Sequence, residues 1–426
     1  MSSSGKSSRY ERAFRVVLRG SSISMLGSRV STIAFPMLVL YLTKSPLYAG
    51  LAVFAATAPS VLFYMPAGVL VDHWDPRRTM LCSECMRGLL ISGVVLTLLL
   101  NGSVPVIVAL AVLEEIAEVF AVLAERRYIR MLVDSGGQSD LARSAPVRVE
   151  ARSHFIVLMG RPLGALLFET GYALPFLADM VSFVFSCLTL IRIRESPPVC
   201  RRKESPLQLR TEIACGVRYL VRNKYVRDSV ILNSWMTLIS QALILIFIAE
   251  SRSQQLSALT IGMVFAASGL GGLLGAKLGN MIYEFIRPRF HILQGYSRIE
   301  VQLCAWSAGL LVLAVFMASY PVLYMAAVMA VFGFAGAIGN IELETYINLH
   351  VPKEMTARLA SIDRLTSLLT CAAGPAIGGL LVNCFGGRAA VWWLFVMAMV
   401  PTVVVVTRAW TRVQKSTGIQ IGRAHV

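Results

Sequence analysis

The chain has 426 residues, of which 56% are hydrophobic and only 15% charged, with a mean hydropathy of +0.66. A soluble protein of this length needs far more polar surface, so composition excludes an ordinary soluble domain and points to the bilayer. The formal net charge of +16 does not indicate nucleic acid, because the 40 Lys and Arg sit mainly in short loops between apolar runs, as the positive-inside rule requires.

Residues 1–19 are Ser-rich and basic, and precede an apolar run too long for a signal-peptide core, so a retained first helix with a cytoplasmic N-terminus is expected. At about 20 residues per pass, the sequence divides into twelve spans. They cover 20–43, 47–71, 79–100, 104–124, 151–170, 172–193, 227–249, 258–283, 298–319, 322–345, 359–382 and 388–408. Alternating them from a cytoplasmic start leaves Lys44, Arg252 and Arg388 as the only outside loop bases, and both termini inside. The expected organisation is an N-terminal six-helix bundle (1–195), a cytoplasmic linker (196–225), a C-terminal six-helix bundle (226–412) and a tail (413–426). Within the linker, Leu209, Ile213, Val217 and Leu220 recur at helical spacing, which predicts an amphipathic helix on the inner surface. The final Ile421–Val426 reads like a translated sequencing adapter, and no function is expected of it.

The two halves repeat each other. Val53-Phe54-Ala55-Ala56 returns as Val264-Phe265-Ala266-Ala267, and the same offset carries Gly68 onto Gly279 and Arg78 onto Arg289. Tyr128-Ile129 with Val133 returns as Tyr346-Ile347 with Val351. A duplicated six-helix unit around a central cavity is therefore expected: an all-α membrane protein of two pseudo-symmetric bundles. The Gly160-Arg161-Pro162-x-Gly164 and Gly374-Pro375-x-x-Gly378-Gly379 stretches hold corresponding places in the two halves. They are read either as flexing elements or as sites of close helix packing.

Ionisable groups inside spans are costly and face a cavity or a partner. The fourth span carries Glu114, Glu115 and Glu118, the first and last sharing a face at i, i+4. Arg29 of the first span reaches a similar depth. Three carboxylates cannot all be neutralised by one arginine, so Glu114 or Glu118 is read as the proton-coupling group, with Glu115 beside it and Arg29 modulating it. Arg161 and Asp179 differ in depth by roughly 5 Å on adjacent spans and are read as a structural ion pair, as are Glu84 and Arg87 at i, i+3. Asn233, Trp235 and Gln241 offer hydrogen bonds and stacking to a ligand, or serve as interhelical glue. Asn340 stands beside Glu342 and Glu344, which bind a cationic substrate or lock the inner gate.

Gly68-Val-Leu-Val-Asp72-His73-Trp-Asp-Pro76-Arg77-Arg78 forms a tight hairpin between the second and third spans. Gly68, Asp72, Arg77 and Arg78 match the signature loop of the major facilitator superfamily, Gly-x-x-x-Asp-Arg/Lys-x-Gly-Arg/Lys-Arg/Lys; His73 and Pro76 depart from it. The chain resembles that family from about Phe14 to Trp410. It is most similar to the bacterial exporter branch that includes the enterobactin exporter and macrolide efflux proteins, through Leu26-Gly27, Glu84-x-x-Arg87, Asp179-x-x-Ser182-Phe183 and Val351-Pro-x-Glu354. The resemblance implies that the loop is a gate, with Asp72 facing Thr356 to Ser361 and Arg358 as its partner. Two departures separate the chain from that branch: Ser28 and Arg29 follow Gly27 where an acid is usual, and Leu123-Ala124-Glu125 replaces Pro-Ala-Arg.

The function expected is a monomeric secondary transporter of the cytoplasmic membrane, exporting a small organic molecule such as a drug or siderophore in exchange for protons. Transport of a lysolipid or other amphiphile is the alternative. None of the five histidines (73, 154, 291, 350 and 425) lies at ligand spacing from another, and the sequence contains no phosphate-binding Gly-x-x-x-x-Gly-Lys-Ser/Thr loop. Enzyme chemistry, ATP, metals, cofactors and nucleic acid are therefore not expected. The eight cysteines are scattered, mostly within the apolar segments, and are read as small membrane residues.

Overall fold

The computed structural model describes residues 3–136, 139–193, 215–286, 298–316 and 321–417. Among these the helices are α1 (Ser3–Thr43), α2 (Pro46–His73), α3 (Pro76–Leu99), α4 (Val104–Gly136), α5 (Ser139–Thr170) and α6 (Leu174–Arg192) in the first half. The second half has α7 (Lys224–Ser253), α8 (Ala258–Ile286), α9 (Arg298–Phe316), α10 (Pro321–His350) and α11 (Lys353–Thr417). Gly386 (φ 79°, ψ 166°) breaks α11 into two limbs, which makes twelve passes. Eight helical stretches among the described residues are long and apolar enough to cross a membrane, and the last of these, Ser361–Thr407, contains both limbs of α11.

Local chemistry sets the helix ends. Ser45 accepts from Tyr48 N and Asp75 from Arg77 N and Arg78 N, each with proline at the next position, where the missing N–H costs nothing. Lys44, Asn101 and Gln255 adopt positive φ where α1, α3 and α7 stop. The helices run beyond the predicted passes: α4 continues to Gly136 and α5 starts at Ser139, over a stretch expected to be loop. The extension is held by its own small core, in which Tyr128, Leu132 and Ala145 pack with Phe14, Val17 and Ala124. Of the predicted linker helix, residues 215–222 are described as helical, and Tyr219 and Leu220 pack on the C-terminal half. Leu209 and Ile213 lie outside the described residues, as do Arg289 and Ile421–Val426.

Repeat-related helices pack alike. In the first half Gly160 and Gly164 of α5 bring that helix onto α1, where an added Cβ would meet Arg29 Cβ at 2.6 Å and Val30 O at 2.6 Å. In the second half Gly374 and Gly378 bring α11 onto α7, against Leu238 O at 2.7 Å and Ala242 Cα at 3.0 Å. The glycine stretches thus serve close approach. The sequence repeats also coincide in position, with Tyr128 and Ile129 in the core at the foot of α4, and Tyr346 and Ile347 at the foot of α10.

The two halves meet at the end remote from the termini. One core joins Ile33, Met37, Leu40, Ala49 and Ala52 to α7 and α8. Gly50 of α2 sits on Leu245 of α7 and Pro375 of α11, and Gly379 of α11 on Pro46. Gly262 of α8 lies over Pro162 and Ala165 of α5, while the Glu169 carboxylate accepts from Leu259 N (2.9 Å) in the first turn of α8. Arg252 and Lys44 both stand over the Tyr41 ring, at 5.0 and 4.6 Å. At the termini end, by contrast, the core of the first half is made only of first-half residues.

Candidate functional site

Charged side chains collect inside the first half, on α3 and α4. Arg87 Nε donates to Glu114 Oε1 (2.7 Å), and its Nη2 donates to Glu118 Oε2 (3.0 Å) and Ser28 Oγ (2.9 Å). Its guanidinium lies 4.6 Å from the centre of the Phe183 ring, and its side chain is only 4% exposed. The fork geometry of arginine suits this task, because one planar cation reaches two carboxylates on successive helical turns. Glu115 lies on the adjoining face, and its carboxylate makes no ion pair among the described residues.

α1 presents hydroxyls to this cluster at helical spacing. Ser24 Oγ donates to Glu84 (2.8 and 3.1 Å), Ser28 receives Arg87, and Ser21 Oγ accepts from Arg152 Nη1 (2.6 Å). Arg152 Nη1 also donates to Glu125 (2.6 Å). A polar cavity of about 30 Å³ runs between these groups, lined by Ser24, Ser28, Arg29, Glu84, Arg87 and Glu118. That is enough for a water molecule with several polar partners. One carboxylate oxygen each from Glu114, Glu115 and Glu118 lie within 4.8 Å of one another, but Arg87 already serves two of the three residues as their cation, so a metal ion would have to displace it.

Three sequence expectations change here. Arg87 pairs with α4 rather than with Glu84, which instead takes Ser24. Arg87 also takes the place expected for Arg29: depth alone ranks the two alike, and the packing of α3 on α4 decides between them. Arg161 and Asp179 do not pair. Asp179 is 1% exposed, beside Gly27 and Ser182, whose Oγ donates to it (3.3 Å). Arg161 turns toward the second half, where its Nη1 donates to Ser268 Oγ of α8 (3.3 Å) and its guanidinium lies 5.9 Å from the Phe265 ring centre. Similar depth does not imply facing sides.

Across the gap from Arg161 are Phe265 and Ser268, with Cys371 of α11 within electrostatic reach and Gln241 Nε2 donating to the Cys371 sulfur (3.4 Å). Gln241 thus bonds within its own half, to the cysteine that lies within reach of Arg161. Trp235 likewise bonds within its own half: its Nε1–H donates to Met397 O (3.1 Å) of the second limb of α11, an intrabundle contact. Asn233 is half-buried on α7 and Asn340 is exposed on α10. The side chains of Glu342, Glu344 and Arg358 lie outside the described residues.

The hairpin at Gly68–Arg78 is tied to its own half. Asp72, 60% exposed, pairs with Arg127 Nε of α4 (3.8 Å), and Arg127 also donates to Trp74 O (3.0 Å). Arg77 donates to Leu190 O (3.2 Å) and Ile191 O (3.1 Å), satisfying carbonyls at the end of α6. Pro76 occupies the first position of α3, where its missing N–H and fixed φ suit a helix start. An added Cβ on Gly68 would meet nothing within 4 Å.

Two like bundles, joined at one end and holding charge between and within them, are the architecture of a secondary transporter working around a central site. The chain belongs to the Major Facilitator Superfamily, whose family model matches residues 18–297. It is 24% identical over 375 residues to the enterobactin exporter EntS of Escherichia coli O127:H6 (strain E2348/69 / EPEC), covering 88% of this chain and 85% of that one. Its fold is shared with a bacterial homologue of the human lysosomal transporter Spinster, inward-facing and unoccupied (TM-score 0.67, 14% identity, 96% and 97% of the two chains). It is shared equally with the D-xylose–proton symporter (TM-score 0.68, 13% identity, 95% and 98%).

Proposed function

We propose that this chain is a proton-coupled exporter of the cytoplasmic membrane, exchanging protons for a small organic molecule by alternating access, as a monomer with both termini in the cytoplasm. The observation that carries the reading is the set of three carboxylates on α4 served by one guanidinium. Arg87 contacts Glu114 and Glu118, which leaves negative charge in the membrane interior that a proton can neutralise. The similarity to a named exporter supports the outward direction. On this reading residues 1–195 and 226–412 move as two bodies joined by 196–225. The loop of Gly68, Asp72, Arg77 and Arg78 is the termini-side gate. When that side closes, Asp72 exchanges Arg127 for the start of α11, near Arg358, where the helix N-terminus attracts an anion.

The test uses everted vesicles with a preset proton gradient reported by a quenched dye. Adding a transported compound dissipates the gradient in the wild type, and Glu114→Gln/Glu118→Gln abolishes that response. A double variant that still couples the compound to protons refutes the assignment.

A further inference from the structure

Arg161 of α5, at the junction of the bundles, and Arg29, exposed on the neighbouring α1, are two cations that make no ion pair among the described residues. They sit on helices in direct contact, since the Arg29 Cβ is what an added Cβ on Gly160 would meet. The charged side chain acting on Arg161 is Arg29, a like charge. Among the described residues neither makes an ion pair, and the nearby acids are otherwise engaged. Glu114 and Glu118 are held by Arg87, Glu125 by Arg152, Glu84 by Ser24, and Asp179 is enclosed by its own helix and Gly27. Glu115 is within electrostatic reach of Arg29 without contacting it, so two guanidinium groups face a single carboxylate.

Arg161 is half-buried, and charge left unpaired at its depth is expensive unless something supplied from solution neutralises it. Around Arg161 stand Phe265 and Ser268 of the other half, with Cys371 within electrostatic reach: an apolar ring, a hydroxyl and a thiol. We propose that Arg29 and Arg161 form the substrate-binding pair, and that the molecule moved is an organic anion presenting a carboxylate or another group with two negatively charged oxygens. Arginine forks match such groups bidentately, and Phe265 supports the apolar body. Because Arg161 already bonds Ser268 across the gap, an anion on Arg161 also touches the second bundle, and so senses the opening and closing of the site.

This inference rests on the transporter reading but not on the direction of transport or on proton coupling. The test is thermal stabilisation of the purified full chain by a panel of aromatic and aliphatic carboxylates, sulfonates and phosphates. Each acid is matched with an amine of the same carbon skeleton. Stabilisation by acids, with apparent affinity about tenfold or more weaker in Arg29→Gln and in Arg161→Gln, is the expected result. Arg29→Lys and Arg161→Lys should recover part of it, and monodisperse elution of every variant excludes misfolding. Stabilisation by amines alone, equal stabilisation of wild type and variants by acids, or no acid response in the panel overturns the proposal. Amine-driven loss of the proton gradient in vesicles would overturn it while leaving the exporter reading standing. Acid binding without any gradient response would do the reverse.

Discussion

At the scale of single residues, Arg87 is the side chain on which most others depend. Among the described residues it is the only cation contacting Glu114 and Glu118, and it also donates to Ser28 of α1, so three helices meet on one guanidinium. Removing one partner of a buried ion pair costs about 3–5 kcal/mol, because the remaining charges stay buried without compensation. Arg87→Leu should therefore lower the thermal midpoint in detergent sharply. Adding Glu114→Gln and Glu118→Gln to it should restore much of the loss, since neutral amides do not need the cation. If the triple variant is no more stable than Arg87→Leu, the cluster is not held by charge. Glu125 and Arg152 form a second buried pair of the same kind, nearer the termini. Arg29 stands at the right depth in the sequence, but depth along a helix is legible there and the facing of neighbours, which favours Arg87, is not. The overlooked signal was the row Ser21, Ser24, Ser28 on α1, whose spacing of three and four marks one polar stripe.

At the scale of elements, glycine is used for two distinct purposes. Gly386 holds a conformation (φ 79°, ψ 166°) open essentially only to glycine, and it separates the two limbs of α11. Gly386→Ala should cost about 1–3 kcal/mol, read as a lower midpoint of unfolding. Gly68 is different: it is helical, with open space where a Cβ would stand. Gly68→Ala should leave stability unchanged or raise it by about 1 kcal/mol from helix propensity. Loss of transport by a stable Gly68→Ala protein would place the need for glycine in the state with the termini side closed. If instead Gly68→Ala unfolds the protein, the packing at this loop is tighter than described.

At the scale of the whole molecule, the described contacts between halves run from the end remote from the termini to the level of Leu158 and Arg161 on α5. Glu169 fastens that closed end by accepting from Leu259 N in the first turn of α8, where negative charge is favoured. Glu169→Ala should weaken the closure by about 1 kcal/mol, a several-fold shift in population. Thr32→Cys, exposed beside the polar cavity on α1, reports it. An impermeant maleimide should label it in everted vesicles and poorly in intact cells, and adding Glu169→Ala should raise labelling from the outside. Equal labelling from both sides before the substitution would contradict the closed far end.

The class of fold, the number of passes and the internal duplication are legible in the sequence. These follow from one-dimensional quantities: apolar run length against bilayer thickness, loop charge, and identities at a constant offset. The sequence also locates which spans carry charge, since Glu114, Glu115, Glu118, Arg29, Arg161 and Asp179 stand out in apolar surroundings. Only the tertiary structure decided who meets whom. Arg87 rather than Arg29 takes the α4 acids, Arg161 faces Ser268 rather than Asp179, and Trp235 turns away from the junction to Met397. The physical reason is that a helix sequence specifies the height and azimuth of a side chain on its own axis. Which neighbour lies at that azimuth depends on helix adjacency and rotation, set here by glycine contacts such as Gly160 on Arg29 and Gly374 on α7.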